Sequence, residues 1–572
     1  MGLTTIGAII IAIYVYRTRI LPKPLPDIPF NKNAATHPLG DIPEMMSYVM
    51  RTKRIFCWLT SLTTRHQSAI VQAFIKPASL PWVVLTDPFE SQDILLRRTK
   101  EFDRSSFFGE LIGGILPEQH IQFQSADPRF KRPRNLINHL MAPTFITEVS
   151  APEVYKSIST LIRLWKIKCE QAGDRPFSAH HDVTYAALDS IFASSFGLPE
   201  PESITIQQLK AVQDTLPKVS EDSAEAVFSE GDIPSPFSAI LTLTSSVTDT
   251  QLSPAPVLTS WVLRKLPYMR RAIAVKEKYI LDRIDEAIKL IEGGNTEPRS
   301  ALHSVLLRER ELAAKESRQP DYYKRSIFDE FFGFMMAGHD TSSTAVAWGV
   351  KYLADNPDCQ DRLRKALRES LPQASRKKRA PTCQELLKAH IPYLDAVVEE
   401  ILRHSGPIAF VVREALQDTV VLGRAIPKGT NVFLMANGPG YLQPNIPLPD
   451  ENRNPGARRS QNKSLTGVWD DADIAEFRPE RWLKEKTATE NPTRDGSMVF
   501  DPMAGPTLAF GAGPRGCFGK RLGMQTLKIE FALIIWHFHL LPLPDELNSY
   551  EGIQRFAREP VQCYVRLKEV IQ

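Results

Sequence analysis

Cysteine is scarce in this chain, and so is any imbalance of charge. Six cysteines are scattered over 572 residues, at 57, 169, 359, 383, 517 and 563, and no two have C-x-x-C spacing. A zinc site or a disulfide framework is therefore not the basis of the fold. Cys57, Cys169, Cys359, Cys383 and Cys563 read as reduced thiols that pack as small apolar groups. Lysine plus arginine (70) barely exceeds aspartate plus glutamate (66), a formal net charge of +4, so there is no electrostatic footprint for nucleic acid. The basic run Arg376-Lys377-Lys378-Arg379 reads as a solvated interhelical loop. Hydrophobic residues make up 43% and charged residues 24%, ordinary globular values that allow a large core.

Also missing is a basic stretch ahead of the apolar N-terminus. Residues 1–16 carry no charged side chain, and Arg17, Arg19 and Lys23 follow them. A cleaved signal peptide needs the opposite order and an A-x-A-like site, and neither is present. Ile6 stands where myristoylation wants serine or threonine. Sixteen helical residues span roughly 24 Å, short of the roughly 30 Å hydrocarbon core. Ile20 and Leu21, with the arginines snorkelling outward, nearly close that gap. Residues 1–21 are thus expected to be a membrane anchor, with the positive flank holding the rest of the chain in the cytosol. Prolines 22, 24, 26 and 29 make 22–30 a stiff spacer, and 31–572 reads as a single domain. Two stretches inside it, 218–258 and 438–467, have loop composition.

Elsewhere helical patterning dominates. Residues 326–355 form one long, mostly apolar segment without proline, expected to be a helix through the core. Further helices are expected at 268–292, 391–403 and 518–538, and short strands at 81–85, 419–422, 431–435 and 561–567. The fold class is mainly α with small β-sheets, not an alternating β-α array.

The chemistry centres on Phe510-Gly511-Ala512-Gly513-Pro514-Arg515-Gly516-Cys517-Phe518-Gly519. Glycines permit tight turns and close backbone approach. A cysteine in such a turn just before a helix can direct its sulfur at a metal while backbone N–H groups stabilise its charge. The same glycines satisfy G-x-G-x-x-G, but a dinucleotide site needs a strand before them, and the preceding VFDPMAGPTLA is broken by proline and glycine. The segment resembles F-G-x-G-x-R-x-C-x-G, the haem-binding loop of the cytochrome P450 family. Six fixed positions make a chance match roughly one in 10⁵ over the whole chain.

Three further segments resemble that family in its order. Glu400-Ile401-Leu402-Arg403 is E-x-x-R, and Arg481 in Phe477-Arg478-Pro479-Glu480-Arg481-Trp482 is placed to join it in a structural lock. Ala337-Gly338-His339-Asp340-Thr341-Ser342 is similar to the oxygen groove, in which Asp340 and Thr341 deliver protons as acid and alcohol. His339 is the variable position and is not taken as a ligand. Phe130-Lys131-Arg132-Pro133-Arg134 stands at the place of W-x-x-x-R, with phenylalanine for tryptophan, so the indole N–H donor is gone.

The resemblance implies the cytochrome P450 fold and a haem whose iron is held by the thiolate of Cys517, a ligation that favours O–O cleavage. Phe130, Arg134, Arg413, Phe510, Gly513, Arg515 and Gly519 are implied as cofactor-binding residues, the arginines through the propionates. It implies a monooxygenase acting on a lipophilic small molecule, in the style of fungal secondary metabolism. Electrons would come from NADPH through a separate flavoprotein reductase, docking near Lys131, Arg132, Lys520 and Arg521. The location implied is the endoplasmic reticulum membrane. The substrate pocket is expected from Ser105, Phe107, Phe108, Phe334, Ala337, Ile408, Ala409, Phe410 and Val411, and Ile240, Leu241 and Leu243 are expected to dip into the bilayer. A redox-independent haem-thiolate isomerase or dehydratase, and a haem sensor or carrier without turnover, remain as alternatives. The intact Asp340-Thr341 pair argues against the isomerase.

Overall fold

Short runs of β-branched and aromatic residues pair across great sequence distances. Ile70–Ala73 (β1), Trp82–Leu85 (β2), Phe102–Arg104 (β3), Phe410–Ala415 (β4) and Asn431–Met435 (β5) form one sheet in the order β1–β2–β5–β4–β3. β2 and β5 run parallel, and the other neighbours are antiparallel. Val83, Val84, Leu85, Val432, Phe433 and Leu434 are all fully buried, which fits strands covered on both faces. The last pairing sets Arg104 directly opposite Arg413. Two like charges so placed repel. These coordinates are a computed structural model that describes residues 20–218, 225–458, 466–485 and 498–570. Residues 1–19 of the expected anchor lie outside the described residues, and among these no helix is long and apolar enough to cross a membrane.

The helices that position the site are, in chain order, Phe107–Ile112 (α1), Pro128–Ile137 (α2), Ala151–Ala172 (α3), His180–Phe196 (α4), Ser235–Gln251 (α5), Pro256–Leu263 (α6), Pro267–Glu292 (α7), Arg325–Asp355 (α8), Pro392–Ser405 (α9) and Lys520–His537 (α10). Their ends follow local chemistry. The Asp127 carboxylate caps α2 by accepting from the Arg129 N–H, with Pro128 at the first position. α9 opens on Pro392 and closes on Gly406 in the left-handed region. Beyond α10, Gly552–Gln554 (β6) and Arg558–Pro560 (β7) make a hairpin.

α8 is the axis. Its 31 residues run about 46 Å, and Phe331, Phe332, Met335, Val346, Trp348 and Val350 are buried along it. Two glycines let other helices approach. A Cβ at Gly338 would lie 2.7 Å from Ile191 Cδ1 of α4, and one at Gly349 would lie 2.3 Å from Phe531 Cζ of α10.

The expected helices and strands are found within three residues of their sequence bounds. One expectation is corrected. The 218–258 stretch is not simply loop, because 235–251 folds as α5 and 256–263 as α6; residues 219–224 lie outside the described residues. Phe237, Ile240, Leu243 and Val247 recur at helical spacing and are buried, an apolar stripe hidden by the surrounding Ser and Thr. Ile240 and Leu243 therefore cannot face a bilayer, and Leu241 packs partly buried against the core. The exposed apolar side chains of α6 are Val257, Leu258, Trp261 and Val262. Within 438–467 the described residues are loop and short 3₁₀ turns, pinned by the buried Arg453–Asp87 pair at 2.6 Å.

Candidate active site

Two turns shape the cysteine loop. Gly511 (φ 60°) and Gly513 (φ 70°) occupy the left-handed region. A Cβ at Gly513 would also fall 2.1 Å from the Leu95 carbonyl oxygen. Gly513 thus shapes the turn and lies outside the cavity that the loop borders. The Cys517 N–H donates to the Phe510 carbonyl at 2.7 Å, and Gly519 caps α10 two residues later. The thiol is exposed to the cavity that it lines and is otherwise closely surrounded by protein. That burial pushes the thiol up, while the N–H groups of Gly519 and Lys520 and the charges of Arg134 and Lys520 favour the thiolate. A Cβ at Gly519 would meet nothing within 4 Å, so the helix N-terminus faces open space.

The cavity measures about 360 Å³, within the roughly 300–1,000 Å³ of small-molecule sites. Phe130, Arg134, Arg413, Phe510, Arg515, Cys517, Gly519 and Thr341 all line it. So does Arg104, which the motif reading missed. Nothing in its local sequence marks it; only the β3–β4 register places it against Arg413. Burial lowers the affinity of Arg104 for its proton well below the usual arginine range, and the charges of Arg413 and Arg515 add to the effect. Burial takes Arg413 and Arg515 down to about 10, with Asp103 as the opposing carboxylate. Among the described residues, Arg104 Nε is buried without a hydrogen-bond partner, and Arg413 Nη1 donates to the carbonyl of Val412. Arg515 donates to the Ile121 and Phe123 carbonyls at 3.1 and 2.8 Å and lies 3.7 Å over the Phe130 ring. Arg134 stacks at 4.4 Å on Phe518. Cations crowded into one cavity wall call for an anionic occupant, and two haem propionates fit that demand.

On α8, Thr341 Oγ1 donates to the Ala337 carbonyl at 2.7 Å, and the helix stays unbroken. Asp340 does not stand beside it over the cavity. Its Oδ2 accepts from the Ala557 N–H at 2.9 Å, in the turn between β6 and β7. Burial raises this carboxyl above the usual range, against the charges of His339 and Arg555 and the Ala557 N–H. His339 Nδ1 is bonded at 2.8 Å to the Met335 carbonyl. Acid and alcohol thus diverge, because adjacent helical residues point about 100° apart.

The lock is assembled as expected. Arg403 holds both oxygens of Glu400, at 2.9 and 2.8 Å, and Arg481 Nε adds a bond at 3.0 Å. Trp482 Nε1 and the Arg478 N–H, at 2.9 Å each, complete the shell. Burial opposes the Glu400 charge, but the bonds and charges of Arg403 and His404 hold it far below the carboxylate range. Of the expected pocket, Phe108, Phe334, Ala337, Ile408, Phe410 and Val411 line the cavity, whereas Ser105, Phe107 and Ala409 are buried behind it. Ile191, Gln251, His120 and Phe556 enter from segments the sequence did not connect.

The family model described as Cytochrome P450 matches residues 73–441 and 467–566. The chain belongs to the cytochrome P450 family. Similar proteins include the cytochrome P450 monooxygenase TRI13 of Fusarium sporotrichioides, 36% identical over 98% of both chains. Another is the cytochrome P450 monooxygenase xilC of Penicillium rubens, 31% identical over 97% of this chain and 94% of its own. A third, named as a Hps1-dma1 cluster cytochrome P450 monooxygenase of Dothistroma septosporum, is 36% identical over 52% of this chain and 97% of its own. The mainly α architecture with small sheets is that of the cytochrome P450 fold, and the enzyme class is oxidoreductase, a cytochrome P450 monooxygenase.

Proposed function

We propose that Cys517 is the thiolate ligand of a haem seated in this cavity, and that the enzyme inserts one atom of O₂ into a lipophilic small molecule. One observation carries the reading: a thiol and four arginines, Arg104, Arg134, Arg413 and Arg515, border one cavity whose wall also carries many apolar side chains. Bound there, the haem would supply the activation of dioxygen. The protein's own work is to hold and orient. Backbone N–H groups at the start of α10 steady the Cys517 charge, and the arginines receive the propionates. Thr341 presents a hydroxyl to the cavity and can hand on its proton while its oxygen stays near the Ala337 carbonyl. Asp340 is a proton reserve behind it, its carboxyl raised by burial, and it reaches Thr341 by a side-chain rotation that breaks the bond to Ala557. The apolar walls Phe108, Phe334, Ile408 and Phe410 exclude water and select a lipophilic substrate.

One fungal relative is named for the Hps1-dma1 cluster, which supports the reading that this chain serves fungal secondary metabolism. Electrons are assigned to NADPH through a separate flavoprotein reductase, docking on Lys131, Arg132, Lys520 and Arg521, all of which are exposed. Residues 1–21 are read as the anchor in the endoplasmic reticulum membrane, 22–30 as the spacer and 31–572 as the cytosolic catalytic domain. The apolar face of α6, flanked by Arg264 and Lys265, suits a lipid surface.

The test is the absorption spectrum of the reduced, carbon monoxide-bound protein beside a Cys517→Ala variant. A Soret band red-shifted by thiolate ligation in the parent and lost in the variant is expected, together with substrate-dependent NADPH consumption when reductase is added. Unchanged haem ligation in the variant would overturn the assignment of Cys517.

A further inference from the structure

The tryptophan N–H that the family's helix offers at position 130 is missing here, because that position is Phe130. Against the Phe130 ring, at 5.8 Å between centroids, lies the imidazole of His120, and its other neighbour is Phe518 at 6.2 Å. His120 is 5% exposed and lines the cavity. It is held at two points by one carboxylate: Glu330 Oε1 accepts from the His120 backbone N–H and Oε2 bonds Nδ1, each at 2.7 Å. Gln119 Nε2 reaches the same oxygen at 3.5 Å. Glu330 sits in the apolar half of α8, buried, where an acid is costly without such partners. Its charge is also felt by Arg134. Among the described residues nothing bonds His120 Nε2, and that atom is not one of the sealed-off polar atoms.

We infer that His120 supplies the hydrogen bond that Phe130 withholds, donating from Nε2 to a carboxylate of the cofactor beside Arg134. The inference rests on the haem reading above. Glu330, an acceptor only, fixes N–H on Nδ1. Between that carboxylate and a second one in the cavity, a ring carrying N–H on both nitrogens would satisfy both. A loop histidine and a helix carboxylate thereby replace one indole.

Haem transfer from the purified holoenzyme to apomyoglobin tests this, with resonance Raman of the propionate-bending modes as a second readout. His120→Phe keeps the ring packing and removes the donor, so haem should leave roughly tenfold faster and the propionate band should shift. His120→Gln, which retains an amide N–H, should release haem more slowly than His120→Phe. Adding Phe130→Trp to His120→Phe should return both the rate and the band toward the parent. Equal release rates for parent, Phe and Gln variants would overturn the role of His120. So would parent-like release combined with an altered substrate-induced spin shift, which would place Nε2 against substrate instead. A parent that binds no haem would overturn the haem reading itself, a separate failure.

Discussion

At the scale of single residues, the cavity gathers four arginines, Arg104, Arg134, Arg413 and Arg515, around one lining carboxylate, Glu330. Arg104 is the clearest case, buried across from Arg413 with Nε unsatisfied. Arg104→Met is expected to act with opposite signs in the two states. The apo protein gains stability, because a poorly compensated buried cation is removed, whereas the holoprotein loses haem about tenfold faster for want of a charge-assisted bond. Thermal melts of both forms and haem-transfer rates read the two effects. Glu530 of α10 is a different buried charge: one oxygen lacks a partner, and burial lifts the carboxyl to about 8. Because the folded state keeps the proton longer than the unfolded chain, stability is full below the unfolded value near 4.5. It then falls by up to about 1.4 kcal/mol per pH unit until about pH 8. Glu530→Gln should flatten that slope in denaturant titrations across pH 5–8; an unchanged slope would count against the buried acid.

Among the elements, the lock and the β6–β7 hairpin do the positioning. Glu400 joins α9 to the 476–482 segment through Arg403, Arg481 and the Trp482 indole, all within 3.0 Å. Glu400 keeps Arg403 when Arg481 is lost but forfeits one charge-assisted bond, so Arg481→Leu should cost about 1.5–3 kcal/mol, read as a lowered denaturant midpoint with the haem spectrum as a local probe. Glu400 and Arg403 were legible as a motif because one helical turn separates them. Trp482 was legible only as a neighbour, since its bond depends on where the later segment folds back. The hairpin was not legible at all as part of the site. Its turn holds Asp340 by the Ala557 N–H and carries Phe556 to the cavity, a pairing that spans more than 200 residues. Ala557→Pro removes that N–H donor, and freeing Asp340 should alter the pH dependence of turnover more than substrate affinity.

For the whole molecule, the exposed apolar face is what relates the domain to its surroundings. Val257, Leu258, Trp261 and Val262 of α6 are four large hydrophobes exposed together on one short helix. Trp261→Ser with Val262→Ser is expected to weaken partition onto phospholipid vesicles about a hundredfold or more, read by flotation, since each buried side chain of that size contributes about 1.5–3 kcal/mol. Unchanged flotation would assign membrane contact elsewhere. The sequence by itself determined the fold class, the cysteine loop, the lock's Glu and Arg and the axis helix. Each of these is written in local spacing, as turns needing glycine, apolar periodicity, or side chains one turn apart. Tertiary structure alone decided the rest: Arg104 facing Arg413, Asp340 turned toward Ala557, His120 clasped by Glu330, and Ile240 and Leu243 buried rather than exposed. Those depend on register between distant strands and on which helix face the core claims, and long-range packing sets both.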